Sequence, residues 1–84
     1  MEHTIDTSLI TTAKDLHRIL AQELDLPDWY GHNLDALYDC LTDLPEPMHL
    51  ILKNWNAGAD FAPGFQSVFD DAQSDNTDFT VQYA

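Results

Sequence analysis

Apolar positions recur along this chain in two rhythms. Leu16, Ile19, Leu20 and Leu24 stand at i, i+3, i+4 and i+8, the spacing of one helix face. Thr12 with Asp15 supplies a Thr-x-x-Asp start that resembles a capping box, and Pro27 ends the helix by about Asp25. Asn33 is a good N-cap for a second helix from Leu34 to Leu41, with Leu34, Leu37, Tyr38 and Leu41 as its inward stripe. Phe65, Val68, Phe69 and Ala72 repeat the helical spacing a third time. The other rhythm is that of strands: a short Glu2–Asp6 segment, the compact apolar run Met48–Leu52, and the alternating Phe79–Tyr83.

Turn-forming residues separate these segments. Asp28 to His32 reads as a loop around Gly31, Pro45 and Pro47 exclude helix, and Gly58, Pro63 and Gly64 mark a long connection. Asp75-Asn76-Thr77-Asp78 breaks the last helix before the final strand. The order strand, two helices, strand, helix, strand favours parallel pairing through crossovers. The expected fold class is therefore α/β, a three-stranded parallel sheet covered by helices. At 84 residues the chain holds one core, so residues 1–84 are expected to form a single domain.

Charge changes this picture more than composition does. Hydrophobic residues at 44%, with two Trp, three Tyr and four Phe, are ordinary for a globular protein, so acidity does not imply disorder. Fifteen Asp and Glu face only Lys14, Arg18 and Lys53, a formal net charge of -12. Direct nucleic-acid binding needs clustered Lys and Arg and is not expected. A basic protein surface is the better partner for such a field, the alternative being solubility alone. Cys40 is the single cysteine, so no internal disulfide forms and the thiol is expected in the core. Neither a leader-like N-terminus nor a run long enough to span a bilayer is present, which makes the cytoplasm the expected compartment and a membrane partner unexpected.

Candidate chemistry gathers around the second helix. Asp35 and Asp39 lie four apart on one face, away from the apolar stripe, and Asp43 extends the row toward the C-terminus. Like charges at this spacing repel, and the helix dipole favours only Asp35, so the row departs from local rules and is either a solvated face or a binding surface. Trp29, Tyr30 and His32 surround Gly31 in the preceding loop, where an aromatic ring is either an interface anchor or part of the core. Carboxylates beside a ring can imitate the phosphate and base of a nucleotide. Catalysis is not expected: Cys40 lacks an evident activating base, no phosphate-cradling loop exists, and His32 with Asp35 and Asp39 shows no metal-site spacing. No catalytic residue, metal or cofactor is therefore assigned.

Several stretches resemble the barstar-like family: Asp15-Leu16-His17, Glu23-Leu24 with Leu26-Pro27, and above all the continuous run from Trp29 to Leu41. Similarity continues more weakly through Phe65 to Ala72 and the terminal strand. The resemblance implies a three-stranded parallel sheet covered by helices and a role as an intracellular protein inhibitor of bacterial ribonucleases. It implies that Asp39 enters the enzyme's phosphate site, that Asp35 meets a base on the guanine-recognition side, and that Trp29 stacks on a catalytic histidine. Gly31, Asn33, Leu34 and Tyr38 match neighbouring contact positions, and Asp71 stands where the family has a contacting glutamate. The implied partner is a basic ribonuclease, secreted or a toxin, held by a monomeric inhibitor in a 1:1 heterodimer. Leu44 replaces a family tryptophan, and Glu46-Pro47 is the candidate for a family cis proline. The alternative is an acidic binding module or regulator whose basic partner is not a ribonuclease.

Overall fold

A computed structural model describes residues 2–84 and places six elements in the expected order. They are β1 (Glu2–Asp6), α1 (Ala13–Glu23), α2 (Leu34–Thr42), β2 (Met48–Lys53), α3 (Ala62–Asp75) and β3 (Phe79–Tyr83). The strands pair in parallel in the order β1-β2-β3, with Glu2 opposite His49 and Met48 opposite Phe79. The architecture is an α/β barstar-like fold.

One face of the sheet makes the core. Ile5, Leu50, Leu52 and Phe79 point inward and meet Leu16 and Leu20 of α1, Leu37 and Leu41 of α2, and Phe65 and Phe69 of α3. The alternate positions Glu2, Thr4, Asp6, Lys53, Thr80 and Gln82 are exposed, as strand periodicity requires for a sheet covered on one side. His49 and Thr80 pair on that outer face, Nδ1 to Oγ1 at 2.6 Å. Parallel sheets usually bury both faces, and here polar residues let the second face meet water.

The structure corrects the expected boundaries in two places and gives the state of one proline. Pro63 and Gly64 lie inside the first turn of α3 and not in a connection, because a proline at the start of a helix gives up an N–H that has no intrahelical partner anyway. Asp43 is the C-cap of α2 and not part of its helical face. Among the described residues no peptide bond is cis, so Glu46–Pro47 is trans, the isomer X–Pro bonds prefer by about 0.5–1 kcal/mol.

His17 is an unanticipated core residue, only 5% exposed. Its Nδ1 pairs with the hydroxyl of buried Tyr30, and its ring lies 4.7 Å from that of Phe65 and 6.4 Å from that of His32. Burial, and then the field of His32, hold the His17 imidazolium below its ordinary pKa, while burial pushes the Tyr30 phenol well up. The pair is neutral and mutually satisfied. It ties α1 and α3 to the 28–33 loop, so the loop's backbone is anchored from beneath.

Candidate functional site

The 28–33 loop folds around specific side chains. His32, not Gly31, takes the left-handed turn (φ 54°). Space is tight at Gly31, where a Cβ would lie 3.0 Å from Asn33 Nδ2 and press on the side chain that caps α2. Asn33 then caps α2: its Oδ1 accepts from Ala36 N at 2.8 Å, while Nδ2 donates to the Gly31 carbonyl at 3.4 Å. Both ends of that amide are occupied in setting the loop-to-helix angle. Tyr30 turns inward and Trp29 outward, the latter 60% exposed. A ring this large left in water is one of two such apolar side chains among the described residues, the other being Leu9.

From this start α2 lays out its faces by period. Leu37, Cys40 and Leu41 are buried, and Asp35 and Asp39 are exposed on the opposite side, as their spacing predicts. Leu34 is half-buried and its Cδ1 would lie 3.0 Å from a Cβ at Gly64, so the start of α2 packs closely on the first turn of α3. The Cys40 thiol is pushed up by burial and by the nearby Asp39 and Asp43, which disfavours the nucleophilic thiolate.

Tyr38 links the acidic face to the third helix. Its hydroxyl donates to Asp75 Oδ2, the last residue of α3. That bond, then burial, then the charges of Asp75, Asp71 and Asp39 raise the phenol above its usual value. Asp39, Asp71 and Asp75 therefore surround one ring. Asp75 was legible as the i+4 neighbour of Asp71, the same spacing that singles out Asp35 and Asp39, but reads from the sequence only as part of a helix-breaking stretch.

Electrostatically the face is left open. The single ion pair among the described residues joins Arg18 to Asp15 on α1 at 3.9 Å. Lys14 and Arg18 sit on α1, and Lys53 ends β2. No group of His, Cys, Asp and Glu among the described residues is arranged to hold a metal ion, and no helix is long and apolar enough to cross a membrane. The arrangement consists of an exposed aromatic ring and carboxylates on a packed helix pair, a chemistry complementary to cations.

Residues 1–84 match the family model described as "Barstar (barnase inhibitor)". A Bacillus subtilis (strain 168) protein named "Putative ribonuclease inhibitor YrdF" is 56% identical over 41 residues, 48% of this chain and 45% of that protein. The chain thus aligns with less than half the length of this relative.

Proposed function

Because the chain belongs to the barstar family, we propose that it is a ribonuclease inhibitor that covers the active site of a basic bacterial ribonuclease, secreted or toxin-borne, in an immunity or antitoxin role. The observation that carries this reading is the set of carboxylates Asp35, Asp39, Asp71 and Asp75 on α2 and α3, none paired with a cation among the described residues, together with exposed Trp29 in the loop before α2. A ribonuclease holds cations where RNA phosphates bind. Asp39, central in the set, takes the place of the phosphate; Asp35 serves the base-recognition side, and Trp29 lies flat on a ring of the enzyme. Gly31, Asn33, Leu34 and Tyr38 hold this geometry and border the contact, and Asp71 adds a carboxylate from the second helix. Inhibition is by occlusion in a 1:1 complex formed in the cytoplasm, and no residue of this chain carries out chemistry.

The test uses fluorogenic RNA cleavage by barnase and by ribonucleases isolated on the immobilised chain. Stoichiometric inhibition by the parent chain is expected, with loss of at least ~2 kcal/mol of binding in Asp39→Ala, the scale for breaking a desolvated charge pair. Binding unaltered by Asp39→Ala, or a captured nuclease that stays fully active, would refute the reading.

A further inference from the structure

Beside Trp29 the surface opens into a groove of about 250 Å³. Its walls are apolar, formed by Leu24, Leu26, Leu44 and Met48, with buried Cys40 at the core side. Asp25, Asp43 and Glu46, all exposed, also line it. No Lys or Arg does, and His3 is the one basic side chain present.

Volume, chemistry and position each narrow the occupant. Pockets for drug-sized ligands span about 300–1,000 Å³, so this groove is sized for one long side chain. Apolar walls with three carboxylates select a group with an aliphatic stem and a cationic head, the build of arginine and lysine. The exposed indole of Trp29 favours arginine, because a guanidinium stacks on a ring while still donating to carboxylates, whereas a compact ammonium is more strongly hydrated. A second copy of this chain is a poor source: it carries a single arginine, Arg18, on α1, and two chains of net charge -12 repel. Continuity supplies the source instead, since the groove is lined by Cys40 of α2, next in sequence to Asp39, by its C-cap Asp43, one turn beyond Asp39, and by Trp29 of the loop that leads into α2.

We propose that this groove is a docking subsite for one arginine side chain of the ribonuclease seated on the Asp35–Asp39 face. The assignment of the source rests on the function proposed above; the chemistry of the groove does not. With the arginine inserted, the stem covers Leu26 and Leu44, the guanidinium lies on the groove side of Trp29 and leaves the other face of the indole to the enzyme's ring, and the groove discriminates among ribonucleases by whether they carry an arginine at that place.

The experiment is an NMR titration of the isotope-labelled chain with n-butylguanidinium, n-butylammonium and n-butanol. Butylguanidinium should shift the Trp29 indole and the Leu26 and Leu44 methyl signals saturably in the millimolar range, and more strongly than the other two probes. Leu44→Phe, which narrows the groove, and the Asp43→Asn/Glu46→Gln pair should each weaken binding at least about threefold, the scale of a few partly exposed charge contacts. Folding of each variant is read from the same spectra. No saturable shift, equal binding of butanol, or shifts confined to Asp35 and Asp39 would overturn the groove assignment, and equal binding of butylammonium would overturn the choice of arginine. A chain that inhibits a ribonuclease yet fails these titrations loses the groove alone. One that binds butylguanidinium but inhibits no ribonuclease loses the proposed source of the arginine.

Discussion

Removing the Tyr30 hydroxyl should destabilise the protein far more than removing it together with its partner. Tyr30 and His17 are each 5% exposed, and their polar atoms satisfy one another. Tyr30→Phe leaves His17 Nδ1 buried without a partner, and His17→Leu strands the phenol; an unsatisfied buried group costs about 1–3 kcal/mol. In a domain of this size each kcal/mol lowers the melting midpoint by about 4–8 °C. The double variant removes both polar groups from an apolar shell that includes Phe65, so it should return to within about 1 kcal/mol of the parent. Urea unfolding at about pH 8, where a histidine of ordinary pKa near 6.5 is neutral, measures the cycle. Coupling below about 0.5 kcal/mol, so that the two single losses simply add in the double variant, would refute the argument. The same pair fixes a pH response. His17 has its imidazolium disfavoured in the folded state, so the unfolded chain takes up the proton first. The stability this difference contributes is fully present above the unfolded value near 6.5. It is lost progressively as pH falls from there toward the lowered folded value, and that segment of the pH profile should be absent in His17→Leu.

Three further outcomes are expected. Asn33→Ala removes the acceptor for Ala36 N–H and should cost about 1 kcal/mol in thermal or urea unfolding, with fraying of the turn that carries Asp35 visible in amide exchange. Asp6, held down to about 2 by hydrogen bonds from Asn54 and from Ser8 and by the charge of Lys53, contributes stability that is present above its ordinary value of 3.8 and lost as pH falls through about 2; Asp6→Asn should flatten the acid limb there. Stopped-flow association with the ribonuclease should slow with added salt, and neutralising outlying Asp60 should lower mainly the association rate. Asp75→Ala should in addition speed dissociation, because it frees the Tyr38 ring.

How much of this was legible depends on whether the cause is local. The stripes of α1 and α2, the Thr12 and Asn33 caps and the alternation of β3 are near-neighbour patterns, and each appears where the spacing puts it. Proline and glycine misled at Pro63 and Gly64 because the same residues that end a helix also begin one, and only packing against Leu34 distinguishes the cases. The acidic row on α2 was readable from one helix. Its continuation to Asp75 was not, because Tyr38 and Asp75 are joined only when α2 and α3 dock. His17 was likewise hidden, since a histidine one step off an apolar stripe gives no sign that a tyrosine thirteen residues on will satisfy it.

The distribution of charge separates what stabilises this fold from what it is arranged to do. If the acids of α2 and α3 served stability, the three cations would be expected among them, yet Lys14 and Arg18 lie on α1 and Lys53 at the end of β2. Asp35 and Asp39 repel at helical spacing, a cost of a few tenths of a kcal/mol per pair, and Asp75 closes α3 at the end its dipole makes unfavourable for an anion. A core that includes Phe65, Phe69, Phe79 and Leu50, each essentially inaccessible to water, can carry such costs, since each large buried side chain is worth about 1.5–3 kcal/mol. On the function proposed above, repulsion held by the folded helices would be relieved by a cationic surface, so the free energy withheld from folding would become available to binding. Asp39→Asn should therefore leave the free protein as stable as the parent or slightly more so, while weakening its complex. Urea unfolding of the free chain beside titration of the ribonuclease reads both effects, and a variant that lost stability and kept affinity would reverse the argument.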